Sequence, residues 1–383
     1  MEAYLDNSAT TRPSQPVIEA VTAAMRDGYY NPSSPYGPAL KAEKRMDDCR
    51  ALLMKLSQAG AGEVIFTAGG TEADNLAILG YLSTVKKPGK VLYTAVEHPA
   101  VKQSCLAAER MGHTPVSIPV LRDSTVDIEA FETLLDESVH LICVMQVNNE
   151  TGVIQPLKEI AALRDRLCPK AALHVDGVQG FLRVPISMQA INIQSYALSS
   201  HKLHGPKGVG ALILQKGHKV SPREFGGGQE KGLRSGTENT PGIAGLMSAV
   251  ETYPSNAAEA MAALKRRLYE LLMEGVPGVN INGPELNSPA CGPHILNVSF
   301  RPVRSETMLY ALSGDGVYVS MGSACSSRKQ KVSETLKAMS VPQWDAECAI
   351  RFSLSPYTTE AEIDYAAERV KEHYQTLSKF VRR

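Results

Sequence analysis

The stretch YALSSHKLHGPKGVGALIL, residues 196–214, contains two short apolar runs separated by a polar turn with several glycines. Runs of this length without polar alternation are typical of strands buried on both faces of a sheet. Lys202 lies just after the first run, among hydroxyl and imidazole side chains. Burial pushes a lysine toward its neutral, nucleophilic form, which is the form that reacts with an aldehyde. The stretch therefore predicts a reactive lysine at the end of a buried strand.

A second polar cluster, HVDGVQ at residues 174–179, places Asp176 at the end of another apolar run. A lysine for the aldehyde and an aspartate for the pyridine nitrogen are the two protein groups that pyridoxal phosphate chemistry requires. Each residue alone has a simpler interpretation. A lysine after a strand is usually a solvated turn residue, and an aspartate there often caps a helix. Together with the phosphate-type loop described below, the two residues favour a pyridoxal phosphate site.

The composition of the chain excludes several classes of function. Its 383 residues are enough for two domains, and 40 basic residues balance 40 acidic ones. Zero net charge, an early acidic residue and the lack of a long apolar run predict a cytoplasmic protein that binds neither membranes nor nucleic acid directly. The 7 cysteines are irregularly spaced and have no zinc-type pattern. We therefore expect neither a metal site nor a disulfide framework.

The order of the predicted elements indicates an α/β fold. Strands and helices alternate over the first two thirds of the chain, which predicts a mostly parallel sheet flanked by helices. One helix is expected to start at Thr71, with the spacing of a capping box to Asp74. From about Pro254 the pattern changes to that of a smaller α+β domain. We expect residues 15–255 to form a large cofactor-binding domain, and residues 1–14 plus 256–383 to form the small one.

Two loops have the composition of anion-binding sites. Residues 67–71 (TAGGT) join a strand to a helix, where glycines and free N–H groups favour phosphate, although a plain tight turn has the same pattern. Residues 226–237 (GGGQEKGLRSGT) are rich in glycine and charge. We interpret them as an ordered loop near a phosphate or carboxylate rather than as a flexible linker.

Further polar residues interrupt or follow apolar runs. His98 can lie against an aromatic cofactor or be a surface histidine. The amide of Asn149 can reach a ligand or form a turn. Arg351, inside an apolar strand, needs a carboxylate partner, which is either structural or that of an amino-acid substrate. Cys325 lies among small residues with basic residues after it, and it is the cysteine we expect to be reactive.

With these motifs the chain resembles the cysteine desulfurases, within the class V aminotransferase-like group of fold-type I pyridoxal phosphate enzymes. Gly322–Cys325 is similar to the Gly-Ser-Ala-Cys signature of the subgroup with a long catalytic loop, which the resemblance puts in the small domain. The resemblance runs nearly end to end, and the segments that carry it are Tyr4–Thr11, Asn31–Ser34, Phe66–Ile78, Glu97-His98, Asn148–Pro156, His174–Gln179, Ser199–Leu212, Gly226–Gly242, Gly322–Cys325 and Ile350–Leu354.

The resemblance implies a role for each predicted site residue. Lys202 binds the cofactor aldehyde, Asp176 pairs with the pyridine nitrogen, and His98 stacks on the ring. Arg351 binds the substrate carboxylate, and Cys325 takes the substrate sulfur. The residues implied in the remaining cofactor contacts are Gln179 and Asn149 at the phenolic oxygen, with Asn149 also at the substrate, Gly70, Thr71, Ser199 and His201 at the phosphate, and Thr237 at the phosphate of a neighbouring subunit.

The implied activity converts L-cysteine to L-alanine and leaves a persulfide on Cys325 for a protein acceptor. An iron–sulfur scaffold or a tRNA-thiolation protein fits that acceptor, and the role of Thr237 implies a homodimer with shared sites. One alternative is another enzyme of the same fold, such as a selenocysteine lyase or an aminotransferase, which needs Lys202 and Asp176 but not Cys325. Another is a non-catalytic scaffold, against which the intact set of site residues argues.

Overall fold

The computed structural model describes residues 1–321 and 333–380, and within them a seven-stranded sheet forms the centre of the fold. The strands of the described residues are β1 (Ala3–Tyr4), β2 (Glu63–Thr67), β3 (Lys90–Thr94), β4 (Thr114–Ile118), β5 (Val139–Met145), β6 (Ala172–Asp176), β7 (Ser195–Ser199), β8 (Gly210–Leu214), β9 (Val279–Ile281), β10 (Ile295–Phe300), β11 (Val317–Tyr318) and β12 (Ala349–Ser353).

The large sheet has the strand order β2-β8-β7-β6-β5-β3-β4. Strands β3 to β7 pair in parallel, whereas β8 is antiparallel to both of its neighbours, β2 and β7. This confirms the predicted mostly parallel α/β sheet. Because β2 and β7 are both antiparallel to β8, β2 runs in the same direction as the parallel strands. Its carboxyl end therefore reaches the same edge of the sheet as the ends of β6 and β7.

Helices cover both faces of this sheet. The helices of the described residues are α1 (Gln15–Asp27), α2 (Gly37–Ser57), α3 (Gly70–Asn75), α4 (Pro99–Ala107), α5 (Ile128–Leu134), α6 (Leu157–Leu167), α7 (Met188–Ile191), α8 (Thr240–Glu251), α9 (Ala257–Gly275), α10 (Ser305–Gly314), α11 (Glu334–Ala338), α12 (Gln343–Ala346) and α13 (Glu360–Leu377). None of the helices in the described ranges is both long enough and apolar enough to cross a membrane.

Alternate residues of each strand enter different apolar clusters, as the two-residue period of a strand requires. In β5, Ile142 and Val144 pack in the cluster that includes Leu53 of α2 and Leu246 of α8. Leu141 and Cys143 of the same strand pack in another cluster, with residues of α4. Burial on both faces explains why these strands read as continuous apolar runs.

The start of α3 differs from the sequence-based expectation. Thr71 is the second residue of this helix and not its cap; Gly69 occupies the capping position and makes no side-chain hydrogen bond. The carboxylate of Glu72 accepts a hydrogen bond from the backbone N–H of Ala68 at 2.8 Å. Because Thr71 lies inside the helix and the Asp74 carboxyl group contacts His174, the predicted capping box from Thr71 to Asp74 does not form. The Thr71 hydroxyl is therefore left for other partners.

Two smaller sheets are formed by the N-terminal segment and the C-terminal part of the chain. Strands β12, β10 and β9 form an antiparallel sheet, and β1 pairs in parallel with β11. Their apolar core joins Leu5 near the N-terminus to Phe300, Phe352 and Val370. The N-terminal segment thus packs with the C-terminal part of the chain, and β12 carries Arg351 toward the edge of the large sheet.

Candidate cofactor site

Most of the predicted site residues line one cavity at the carboxyl ends of the central strands. Its volume is about 240 Å³. Ligands of open α/β sheets bind at this edge because the loops that follow the strands meet there. The predicted residues that line the cavity are Gly70, Thr71, His98, Asn149, Asp176, Gln179, Ser199, His201, Lys202 and Arg351. They come from the ends of separate strands and from both parts of the chain.

Lys202 ends the short 3-10 turn that follows β7. Its Nζ donates hydrogen bonds to the backbone carbonyl oxygens of Ser8 at 2.6 Å and Ala9 at 2.7 Å. Ser8 and Ala9 also line the cavity. The N-terminal segment therefore forms one wall of the site and orients the lysine amine through its backbone. These two residues carry no sequence signal that predicts a role in the site.

Asp176 and Asp74 are two buried carboxyl groups on the same wall. Asp176 ends β6, and its Oδ1 accepts a hydrogen bond from the backbone N–H of Val178 at 2.9 Å. Asp74 lies 3.2 Å from Nε2 of His174, whose Nδ1 is 2.9 Å from the Ser195 hydroxyl. Burial lowers the pKa of His174 to about 3 and raises that of Asp74 well above its usual range. Burial therefore favours the neutral form of both side chains of the Asp74–His174 pair.

Burial also raises the pKa of Asp176, but the hydrogen bond from the Val178 N–H and the positive charge of Lys202 oppose this effect. The two aspartates thus have different surroundings. Asp74 faces a neutral imidazole, whereas Asp176 faces groups that favour its ionised form. Asp176 is the carboxyl group suited to pair with a protonated pyridine nitrogen. Asp74, which sequence analysis used only as a helix residue, is a further cavity-lining residue.

Glu97 and His98 follow β3 at the same edge. Nδ1 of His98 accepts the backbone N–H of Ala100 at 3.1 Å, so the neutral imidazole carries its proton on Nε2. Burial lowers the pKa of His98, which keeps the ring neutral. Glu97 accepts bonds from the Thr94 hydroxyl and the Met145 N–H, both at 2.7 Å, and burial raises its pKa to about 8. A flat, neutral ring is therefore fixed at the cavity wall.

The other end of the cavity has the chemistry of an anion site. Gly70, Thr71, Ser199 and His201 line both this cavity and an adjoining, larger one of about 830 Å³. A Cβ atom at Gly70 would lie 2.7 Å from Cγ2 of Val178. Glycine thus lets the start of α3 approach the turn after Asp176. The larger cavity is also lined by the cationic side chains Lys207, Arg223 and Arg234.

Arg351 and Gln179 also line the cavity, and each is held by hydrogen-bond partners. Arg351 is 1% exposed and donates to Asp6 Oδ1 at 2.6 Å and to the carbonyl oxygen of Asn149 at 2.8 Å. Asp6 is thus the structural carboxylate that Arg351 requires. Gln179 donates to the Ser8 carbonyl oxygen at 3.0 Å, and its Oε1 lies 3.3 Å from Nε2 of His294. Sequence analysis gave Asp6 no function of its own.

Two predicted site residues are not placed at this cavity. Thr237 is exposed in the loop before α8, and it does not line the cavity within the described part of the chain. Cys325, with the rest of Gly322–Cys325, lies outside the described residues.

The residues present fit pyridoxal phosphate. An amine, a buried carboxyl group and a flat imidazole surround the smaller cavity, and hydroxyl groups with cations lie at its open end. The buried Ser8 hydroxyl and Nε of Arg351 have no hydrogen-bond partner among the described residues, so polar contacts are still to be made. This set matches the aldehyde, pyridine ring and phosphate of the cofactor.

Comparisons with known proteins agree with this geometry. The family model described as aminotransferase class V matches residues 3–366. A cysteine desulfurase from Nostoc sp. is 36% identical over 384 residues, which cover 98% of this chain and 94% of that protein. A cysteine desulfurase IscS from Dictyoglomus turgidum is 35% identical over 386 residues, which cover 99% and 97%. A solved NifS-like protein superposes with a TM-score of 0.90 at 34% identity, covering 98% of this chain and 100% of that one.

The parallel sheet and the groups at its edge define an enzyme of the fold-type I pyridoxal phosphate class. Within that class, the chain belongs to the class V aminotransferase family and to its cysteine desulfurases. Pyridoxal phosphate is the cofactor of this family, and the expectation of a pyridoxal phosphate enzyme is confirmed.

Proposed function

We propose that the protein is a cysteine desulfurase that converts L-cysteine to L-alanine and keeps the sulfur as a persulfide on Cys325. The observation that carries the proposal is the single cavity that joins Lys202, Asp176 and His98 to Arg351. An amine, a pyridine partner and a stacking ring serve any amino-acid substrate of this cofactor class. A buried arginine beside them supplies the group that recognises the substrate's carboxylate.

Bound pyridoxal phosphate supplies an electron sink for negative charge at the substrate Cα. Asp176 would pair with the pyridine nitrogen and favour its protonated form, because the backbone N–H of Val178 stabilises the carboxylate. The neutral Asp74–His174 pair adds no second charge beside it. The imidazole of His98, with its proton on Nε2, would stack on the ring of the cofactor.

Lys202 is the base that takes the Cα proton. The carbonyl oxygens of Ser8 and Ala9 hold its Nζ at one wall of the cavity, which limits the directions the amine can take. A positioned amine within a narrow cavity accepts a proton faster than one in solution, because the transfer distance and angle are fixed.

Arg351 binds the substrate carboxylate through donors that its structural partners leave unused. A guanidinium has five N–H donors, and Asp6 and the Asn149 carbonyl oxygen accept from only two of its nitrogens. Asp6 fixes the orientation of the side chain. Asn149 contributes its carbonyl oxygen to Arg351. We propose that its side chain contacts the substrate or the phenolic oxygen together with Gln179, because both residues line the cavity.

Cys325 carries the sulfur. Its thiolate attacks the sulfur of the bound substrate, an S–S bond forms, the C–S bond breaks, and its electron pair stays with the carbon fragment, which leaves protonated as L-alanine. A persulfide is a carrier form, so we propose a protein acceptor, such as an iron–sulfur scaffold or a tRNA-thiolation protein. The assignment of Cys325 rests on the Gly-Ser-Ala-Cys signature, since the structure does not describe it.

We further propose a homodimer of two-domain subunits. The cavity of about 830 Å³ at the phosphate end leaves space for a residue of a neighbouring subunit, and exposed Thr237 is that residue. Separate apolar cores support a large domain of residues 15–255 and a small domain of residues 1–14 plus 256–383. A cytoplasmic location suits an enzyme that needs free thiols, and the cysteines at 49, 105, 143, 168, 291 and 348 are free.

The test measures alanine and sulfide released from L-cysteine with a reductant present. Wild type should release both products in equal amounts. Cys325→Ala should still bind the cofactor, as its absorption shows, but should form neither sulfide nor alanine. Cys291→Ala is the matched control, because Cys291 is the half-buried cysteine of the described residues and lies outside the cofactor cavity.

Full activity of Cys325→Ala would contradict the sulfur-carrier role and favour a lyase or aminotransferase built on Lys202. A wild-type protein that pyridoxal phosphate cannot colour would instead favour the non-catalytic scaffold.

A further inference from the structure

Arg183 is a buried cation behind the wall of the cofactor cavity. The residue is 3% exposed and does not line the cavity. Its NH1 donates to the backbone carbonyl oxygen of Gln179 at 3.2 Å, and its NH2 donates to the backbone carbonyl oxygen of Lys202. Gln179 belongs to the loop after β6 and Lys202 to the turn after β7. One side chain thus ties together the two segments that carry the predicted cofactor residues.

The partners of Arg183 satisfy hydrogen bonds without cancelling its charge. An arginine stays protonated in a protein interior, and backbone carbonyl groups carry no formal charge. Nε of Arg183 has no partner among the described residues. Burial is the main cause of the lowered pKa values of His294 and His204, and the positive charge of Arg183 lowers both of them further. A fixed positive charge therefore lies next to the backbone of Lys202.

We propose that Arg183 is a positioning residue that holds the Gln179 and Lys202 loops in register and, through its charge, favours the unprotonated nitrogen of Lys202. This inference rests on the proposed function in one respect, namely that Lys202 binds the cofactor. A cation near a basic nitrogen opposes its protonation. Arg183 bonds to the backbone of Lys202 and does not line the cavity. It therefore influences the nitrogen of Lys202 without touching the substrate or the cofactor.

Other titratable groups interact with Lys202 and Arg183, and a variant of Arg183 must leave these groups in place. Within residues 1–321 and 333–380, Asp176, His98 and His201 interact with Lys202, and His204, His294 and Tyr196 interact with Arg183. Burial keeps the imidazoles of His201 and His204 neutral, with pKa values lowered to about 4. Near pH 7 these two histidines therefore add no positive charge to that of Arg183.

Arg164 provides a matched control. It is 1% exposed and also donates to a backbone carbonyl oxygen, that of Asn192, at 3.0 Å. Its other partners are Gln194 at 2.8 Å and Asp165 at 2.7 Å, and it does not line the cofactor cavity. Replacing either arginine removes a buried cation with backbone partners, but only Arg183 is bonded to Lys202.

The experiment titrates the visible absorption of the purified holoenzyme against pH for wild type and for four variants: Arg183→Met, Arg183→Gln, Arg183→Lys and Arg164→Met. Arg183→Gln keeps N–H donors without the charge, and Arg183→Lys keeps the charge. We expect Arg183→Met and Arg183→Gln to raise the midpoint by about one pH unit. Arg183→Lys and Arg164→Met should titrate like wild type.

The outcomes separate this inference from the proposed function. A coloured Arg183→Gln protein with the wild-type midpoint would overturn the role of the charge, and so would an equal shift in Arg164→Met. If Arg183→Met does not fold, the Arg183→Gln and Arg183→Lys variants still test whether the charge changes the midpoint. A wild-type protein without a visible band would contradict the proposed function itself, whereas a coloured wild type with unshifted Arg183 variants contradicts this inference alone.

Discussion

The two ends of the cofactor cavity differ in their exposure to solvent. At the pyridine end the ionisable side chains Asp176, Asp74, His174 and Glu97 are all buried. At the phosphate end the cavity opens into a space of about 830 Å³ that includes Thr71, which is exposed, and several cationic side chains. The buried end therefore controls protonation. The open end supplies hydrogen-bond donors and the cations Lys207, Arg223 and Arg234, of which Arg234 is paired with Glu72 and Glu224.

This difference follows from the strand ends themselves. Asp176 belongs to a strand buried on both faces, and burial raises the pKa of a carboxyl group unless nearby positive charge opposes it. Thr71 belongs to a short helix at the rim. Substitutions at the buried end should consequently change the rate of the chemical step, whereas those at the open end should change the affinity for the cofactor.

The largest effect is expected where the two ends meet, at Lys202. Lys202→Ala removes both the covalent attachment of the cofactor and the base, so kcat should fall by on the order of a thousandfold or more. The measurement is alanine release at saturating L-cysteine and pyridoxal phosphate. Lys216→Ala, at an exposed position just after β8, is the control and should match wild type. Activity of Lys202→Ala within tenfold of wild type would remove the central residue of the proposed mechanism.

The next effect compares the two buried aspartates. Asp176→Asn removes the charge that keeps the pyridine nitrogen protonated, and we expect kcat to fall about a hundredfold. Asp74→Asn replaces a neutral carboxyl group with a neutral amide of the same shape, so kcat should stay within about threefold. Steady-state kinetics of both variants tests the comparison. Equal losses in the two would show that Asp74 also works as a charge.

The sequence predicts the site at the strand ends well, because there an apolar run changes abruptly to polar residues. The runs before Asp176 and Lys202 show this change, and the structure brings both residues to the same cavity. Their partners are not predictable in this way. Asp74 meets His174 and Asp6 meets Arg351 only through the fold, since each pair is distant in sequence. Arg183 likewise gives no local signal, because its partners are backbone atoms.

The main element that the sequence failed to predict is α8. Its sequence, TPGIAGLMSAVE, contains one proline and two glycines, which lower its helix propensity. The structure explains the glycine at 245, where a Cβ atom would lie 2.7 Å from Val21 Cγ2 of α1. Close packing against α1 therefore overrides the local preference. The sequence pattern shows the proline and the glycines of α8, but it does not show helix α1, whose close packing requires a glycine at residue 245.

At the open end, Thr71→Val should weaken cofactor binding without changing the chemistry. Loss of one hydroxyl donor to a charged phosphate should raise the cofactor dissociation constant about tenfold. At saturating pyridoxal phosphate, kcat should return to the wild-type value. Fluorescence titration of the apoenzyme measures the affinity, and Thr133→Val, an exposed helical threonine in α5, is the control. A lower kcat that excess cofactor cannot restore would remove the distinction between the two ends.

The smallest effect concerns stability at the buried end. Burial raises the pKa of Glu97 to about 8, so between its unfolded value of 4.5 and 8 the folded state holds a proton that the unfolded state releases. The stability contributed by Glu97 is thus complete below pH 4.5 and is lost as pH rises toward 8. Glu97→Gln keeps a neutral group with the same acceptor oxygen for Thr94 and Met145. Its advantage over wild type in free energy of unfolding should grow with pH, by up to about 1.4 kcal/mol per pH unit. Urea unfolding of the holoenzyme at pH 6, 7 and 8 measures this slope, with Glu137→Gln at an exposed position as control. An unchanged slope would mean that Glu97 is ionised in the folded protein, and that the buried end tolerates more negative charge than its burial implies.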